Sequence, residues 1–157
     1  MKHEKLGHYS KAFQIRIEEY LDAGIGSCYL SVPEIAELVQ DALLFYDNTH
    51  YLLLSWVIMP NHLHMLIRPM AKVSLSKVMR DLKGFTARKA NMVLGRDGAF
   101  WQPDYFDRYI QDQEHYFKAL RYIERNPVKV GLCSQPEAWP YGSARLRGAD
   151  SEVRVPS

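Results

Sequence analysis

The stretch WVIMPNHLHMLIRP, Trp56 to Pro69, is two apolar runs folded about a Met-Pro-Asn turn, and just past that turn it carries His62 and His64 with one leucine between them. On a strand, successive side chains alternate faces, so the two imidazoles point one way while Leu63 and Met65 point the other. Two neutral imidazoles on one face form a plausible ligand pair for a divalent metal. A strand histidine is also commonly a satisfied surface or core residue, and the pair by itself leaves both readings open.

A second pair lies in QEHYFKALRYIERNP. Read as a helix at about 100° per residue, Tyr116, Leu120 and Ile123 gather as its apolar face, and Tyr122 sits roughly 130° from the centre of that cluster. Tyr122 is therefore not an obvious core residue. Asn126 follows at i+4 on the same side, His115 and Ala119 complete the stripe, and Lys118, Arg121 and Arg125 lie on the far side of Tyr122. A tyrosine beside a basic strip suits attack on a phosphate. An exposed surface tyrosine is the alternative reading.

The elements that must position these residues follow from periodicity and punctuation. KAFQIRIEEYLDAGIG places Phe13, Ile17, Tyr20 and Leu21 at helical spacing and predicts a helix from about Ser10 to Ala23. A second helix opens on Ser31, Pro33 and Glu34, a capping-box pattern, and runs through Ile35, Leu38, Val39, Ala42, Leu43 and Tyr46. Tyr51 to Met59 and His62 to Arg68 then read as an antiparallel hairpin joined by Pro60-Asn61. From Ser74 to Leu94 an amphipathic helix buries Leu75, Val78, Met79, Leu82 and Phe85 and stops at Gly95, its other face carrying Lys77, Arg80, Lys83, Arg88 and Lys89. A short strand is predicted over about Tyr105 to Ile110, and Asp112 caps a helix that runs to the Asn126-Pro127 boundary. The remainder is turn-rich. Strands and helices without strict alternation predict an α+β fold, a small antiparallel sheet with helices on one face.

Composition narrows the class. With 157 residues, 47% apolar and 24% charged, the chain reads as one globular domain. No apolar run approaches a membrane span and the Lys- and Glu-rich start lacks a signal-peptide core, so a cytoplasmic protein is expected. Cys28 and Cys133 form no Cys-x-x-Cys pair, which argues against a zinc knuckle or a disulfide framework. Net charge is only +2, but residues 1–50 carry 4 Lys/Arg against 8 Asp/Glu and residues 51–157 carry 16 against 10. A polyanion would meet the second part, although solvated helix faces explain the same count.

WVIMPNHLHMLI, LKGFTAR (Leu82 to Arg88), AFWQPDYFDRYI and YIERNPVKVGL (Tyr122 to Leu132), in this order and at these separations, resemble the REP-associated tyrosine transposases, members of the insertion-sequence-200-like transposase domain within the HUH endonuclease superfamily. The resemblance covers residues 27 to about 147, leaving 1–26 as an atypical helical N-terminus and 148–157 as a tail. It implies a ferredoxin-like sheet and a role for each matching position. His62 and His64 correspond to the histidines that bind a catalytic divalent ion, Mg²⁺ or Mn²⁺. Tyr122 corresponds to the nucleophile and Asn126 to a third, polar metal ligand. Tyr105, Tyr109 and Tyr116 are rivals by chemistry, but none precedes NPVK at the family's spacing.

The activity implied is cleavage and rejoining of single-stranded DNA beside an imperfect hairpin, through a 5′-phosphotyrosine link. Lys77, Arg80, Lys83, Arg88 and Lys89, with Arg121 and Arg125 beside Tyr122, are candidates for backbone contacts, and Trp101, Tyr105 and Phe106 for base stacking. A monomer or homodimer acting at the nucleoid is expected. One feature departs from the family: its usual first strand, of the type aromatic-x-Val-Thr-Phe, has no counterpart here. That strand would lie next to the strand bearing the histidines, and its absence would leave a long unpaired edge. A catalytically silent hairpin-binding relic is therefore the alternative, and a general single-strand-binding module a third reading.

Overall fold

The alternating apolar residues of the hairpin build the centre of the fold in the computed structural model, which describes residues 17–22, 28–103 and 106–147. Strands β1 (Ile17–Asp22), β2 (Tyr51–Ile58), β3 (His62–Pro69) and β4 (Phe106–Tyr109) form one antiparallel sheet in the order β2-β3-β1-β4. The α-helices are α1 (Pro33–Tyr46), α2 (Leu75–Leu94), α3 (Gln113–Lys129) and the short α4 (Ser143–Arg147), with 3-10 turns at Tyr29–Ser31 and Pro136–Ala138. None of these helices is long and apolar enough to cross a membrane.

Strand β1 corrects the expectation for the N-terminal segment. A helix was predicted from Ser10 to Ala23, and its described part, Ile17–Asp22, is a strand; residues 10–16 and Ala23 lie outside the described residues. The cause is tertiary. β3 is an apolar strand whose second edge needs a partner, and β1 pairs with it from Ile17 opposite Ile67 to Asp22 opposite His62, while pairing with β4 on its other side. The aromatic-x-Val-Thr-Phe pattern is still missing from the sequence, but the place it would fill is taken.

The sheet has two working faces. Leu63, Met65 and Ile67 of β3 join Tyr51, Leu53, Trp56 and Ile58 of β2 in a core shared with α1 and α2. Leu66 of β3 and Leu54, Val57 and Met59 pack instead with Tyr116, Leu120 and Ile123 of α3. Helices on one face thus describes α1 and α2, and α3 adds a second layer across the opposite face. The β2–β3 register shifts between Leu53 and Ser55, a bulge that sends Leu54 and Ser55 both toward α3 before alternation resumes at Trp56.

The helix ends are built by identifiable chemistry. Ser74 Oγ accepts the Lys77 N–H at 3.1 Å, and α2 ends at Gly95 in the left-handed conformation, φ 62°. Asp112 accepts the His115 N–H at 2.7 Å to start α3. At α1 the expected capping box does not form; Val32 is the N-cap, Pro33 opens the helix, and the Ser31 hydroxyl donates instead to the Cys28 carbonyl.

α3 runs through Pro127 rather than ending before it. Proline removes one intrahelical bond, but the helix closes two residues later in a full Schellman motif. Gly131, φ 80°, donates to the Val128 carbonyl at 3.0 Å and Leu132 donates to the Pro127 carbonyl at 2.9 Å. Asn126 consequently lies inside the helix, one full turn after Tyr122.

The turn-rich segment through residue 147 also has a defined place. Gly142 bridges Val57, Ile58 N–H donates to the Tyr141 carbonyl at 2.8 Å, and Trp139 Nε1 donates to the Ile58 carbonyl at 3.0 Å, so residues 139–143 cover the outer edge of β2. Leu63, fully buried between the two histidines, is the side chain that holds β3 against the α1/α2 core. Leu63→Ala is expected to destabilise the fold by about 2–5 kcal/mol through the cavity it leaves, measured as a lowered urea midpoint with unchanged slope.

Candidate active site

Because β3 turns Leu63 and Met65 into the α1/α2 core, His62 and His64 face the layer that α3 occupies. There the His64 ring meets the Tyr122 ring edge to face, with centroids 5.6 Å apart and planes at 75°. His64 is 4% exposed and Tyr122 is 49% exposed, so the imidazole forms the back of the site and the phenol its open rim. Asn126, 8% exposed, follows one turn along α3. The four residues singled out from sequence thus fall on two facing elements, β3 and α3, of a single chain.

The orientation of His62 is fixed by its neighbour. Its Nδ1 lies 2.9 Å from Asn61 Oδ1, and its Nε2 is a buried atom. His64 turns its Nδ1 inward as a buried atom. Among the described residues no group of three or more His, Cys, Asp and Glu side chains is placed to hold a metal ion. The imidazoles of His62 and His64 on β3 and the Asn126 carboxamide on α3 would instead supply a sparse donor set. Such a set fits a divalent ion that keeps much of its shell for water and phosphate oxygens, as Mg²⁺ and Mn²⁺ do.

The cations divide between the two faces of the sheet. Arg121, Arg125 and Lys129 line, with Tyr122, Lys118 and Val128, a recess of about 490 Å³ along α3. Lys129 Nζ sits 5.4 Å from the centre of the Tyr122 ring, and Lys118 is engaged by Glu114 at 3.0 Å. The candidate cations of α2 are on the helix that packs against the other face. Lys77 pairs with Asp81 at 2.9 Å, Arg80 lies 3.8 Å from the same carboxylate, and Lys83 donates to the Gln102 and Pro103 carbonyls. Arg88 borders a separate recess with Asn91 and Arg96, and Lys89 lies over Phe85. The structure gathers the α3 cations around Tyr122 and leaves the α2 cations behind the sheet.

The aromatic candidates also separate. Trp101 is a core residue whose Nε1 donates to Thr86 Oγ1 at 2.8 Å, not a stacking platform. Tyr105 and the side chain of Phe106 lie outside the described residues. Of the rival tyrosines, Tyr116 is buried in the α3 seam and Tyr109 is exposed on the β4 edge strand.

The matching family model, Transposase IS200 like, spans residues 34–126, more than half of the chain. The chain belongs to the insertion-sequence-200-like transposase family. It is similar to the REP-associated tyrosine transposase of Escherichia coli K12, with 28% identity over 90 residues, 57% of this chain and 52% of that protein. The chain therefore spans about half the length of the curated relative it matches. Its fold is that of a solved REP-associated tyrosine transposase bound to a REP hairpin, with a TM-score of 0.70 and 20% identity over 92% of this chain and 90% of that one.

Lys129, which lines the recess, and Glu124, buried on the other flank of the same helix, escaped the sequence reading. Lys129 falls after Pro127, where the helix was expected to have ended. Glu124 lies on the flank of α3 away from Tyr122, and its partners come from β2 and α4, so no local pattern announces it.

The Asp81 carboxyl behind α2 is held down to about 2 by the hydrogen bond from Lys77 and then by that from His50. A depressed carboxyl contributes stability above its unfolded value of about 3.9, and that contribution is lost as pH falls toward 2. Lys77→Ala is expected to raise the Asp81 titration toward the ordinary carboxylate range, read by carboxyl-carbon NMR. It should leave the Tyr122 site unchanged.

Proposed function

We propose that this chain is a metal-dependent single-strand DNA endonuclease and strand transferase, with Tyr122 as nucleophile and His62, His64 and Asn126 as the protein ligands of Mg²⁺ or Mn²⁺. The observation that carries the reading is the contact of the Tyr122 ring with the His64 ring within one chain. A nucleophile on the rim of an imidazole-backed site suits phosphoryl transfer to tyrosine, and in this reading Tyr122 serves the site of its own chain. Membership of the transposase family supports the reaction class. The likeness to a relative bound to a REP hairpin supports a hairpin-flanked strand as substrate.

The half-exposed Tyr122 phenol releases its proton to solvent and its oxygen bonds to phosphorus; the bond from phosphorus to O3′ breaks, and O3′ takes up a proton. One 5′-phosphotyrosine and one free 3′-OH result. Because one phosphodiester is exchanged for another, the 3′-OH of a second strand end reverses the step and joins DNA without a further energy source. A bound divalent ion supplies positive charge at a non-bridging phosphate oxygen. Arg121 and Arg125, flanking Tyr122, neutralise the backbone at the cleavage point. For Lys77, Arg80, Lys83, Arg88 and Lys89 to act, the hairpin has to extend round the sheet edge. A protein acting on chromosomal DNA in this way is expected at the nucleoid.

The alternative of a silent hairpin-binding relic rested on an unfilled place beside β3, and β1 fills it. A labelled hairpin oligonucleotide incubated with Mg²⁺ or Mn²⁺ is expected to give a covalent protein–DNA adduct. EDTA should prevent it and Tyr122→Phe should abolish it while hairpin affinity stays within about twofold, since one hydroxyl is removed from an exposed ring. Adduct formation surviving Tyr122→Phe would overturn the assignment. Hairpin binding that is indifferent to EDTA and never leads to cleavage would establish the relic.

A further inference from the structure

On α3, Glu124 stands about 200° around the helix from Tyr122 in the direction that passes the apolar seam of Tyr116, Leu120 and Ile123. It is 8% exposed, a buried carboxylate that needs partners. The Ser143 hydroxyl donates to Glu124 Oε1 at 2.8 Å and itself accepts the Trp56 N–H at 3.0 Å; Ser55 Oγ lies 3.5 Å from the same Oε1, and Arg147 Nη2 pairs with Oε2. Both serines are placed by features already described. The bulge in β2 turns Ser55 toward α3, and the strapping of residues 139–143 along the β2 edge brings Ser143 and Arg147 under the helix.

We infer that Glu124 is a positioning residue for Tyr122, fixing the rotation of α3 through its cluster with Ser55, Ser143 and Arg147. The seam alone is a row of apolar side chains, which holds a helix down but resists rolling weakly. A roll of about 20° moves a side-chain end some ~6 Å from the axis by about 2 Å. That would carry the Tyr122 ring off His64 and shift Asn126 with it. The directional bonds of Glu124 on one flank and the ring contact on the other oppose such a roll from both sides of the seam.

This inference rests on Tyr122 being the nucleophile, but its test includes a measurement that does not. In full-length protein, Glu124→Ala is expected to lower the single-turnover rate of adduct formation with Mn²⁺ about 100-fold while hairpin affinity changes less than about twofold, the signature of a misaligned nucleophile. The cross-relaxation signal between the Tyr122 and His64 rings should disappear in the same variant. Glu124→Gln, which keeps an acceptor for Ser143 but gives up the charge that pairs with Arg147, should recover part of the rate and the signal. If Glu124→Ala does not fold, Arg147→Met is read in the same way and is expected to slow the adduct at least about tenfold.

A folded Glu124→Ala or Arg147→Met protein with the ring signal and rate of the parent would overturn the inference. Equal losses of rate and hairpin affinity would also overturn it, marking a general loss of structure. Should the parent form no adduct with any divalent ion, the proposed function fails, and the ring signal alone decides the positioning role.

Discussion

Leu63, Met65 and Ile67 are fully buried against α1 and α2, and since strand side chains alternate, their burial leaves His62 and His64 one direction to face, toward α3. Each of those three side chains contributes about 1.5–3 kcal/mol by leaving water. A slip of one residue in β3 would turn all three out of that core and send His62 and His64 into it, a loss comparable with the whole stability of a domain this size. The direction of the imidazoles is thus secured by the aliphatic residues between them. The candidate site depends on a core it does not belong to.

A second layer of control comes from the edges of the sheet. β1 pairs with the inner edge of β3, and residues 139–143 cover the outer edge of β2, so the hairpin carrying the site is supported on both sides. The same C-terminal segment delivers Ser143 and Arg147 to the underside of α3. Edge protection and the seating of the tyrosine helix are therefore one construction. Glu124, Ser55, Ser143 and Arg147 form the polar interior of that construction, and its bonds are directional where the neighbouring apolar seam is not.

Helix ends and one strand show where local signals decide and where they yield. Ser74, Gly95 and Asp112 act as their residue types predict, because a cap needs only a nearby backbone group. Pro127 fails to stop α3 because Gly131 provides a stronger closure two residues beyond the last helical residue. Ile17–Asp22, helical by spacing, is a strand because two neighbouring strands offer it backbone partners on both sides. Ser31 leaves the α1 cap unmade by bonding backward to Cys28.

From its sequence alone this protein determined the hairpin, the two amphipathic helices, the shared face of His62 and His64, and the common stripe of Tyr122 and Asn126. Each is a matter of periods of 2 and 3.6 residues, which a linear pattern records. The tertiary structure decided which layer covers which face, that Tyr122 meets His64 in the same chain, that the α2 cations lie behind the sheet, and that Glu124 is buried with Ser55, Ser143 and Arg147. Those outcomes depend on contacts between residues far apart in sequence, on a bulge that reverses side-chain direction at Ser55, and on strand pairing that overrode a helical spacing. No local pattern carries that information, because it exists only once the elements have packed.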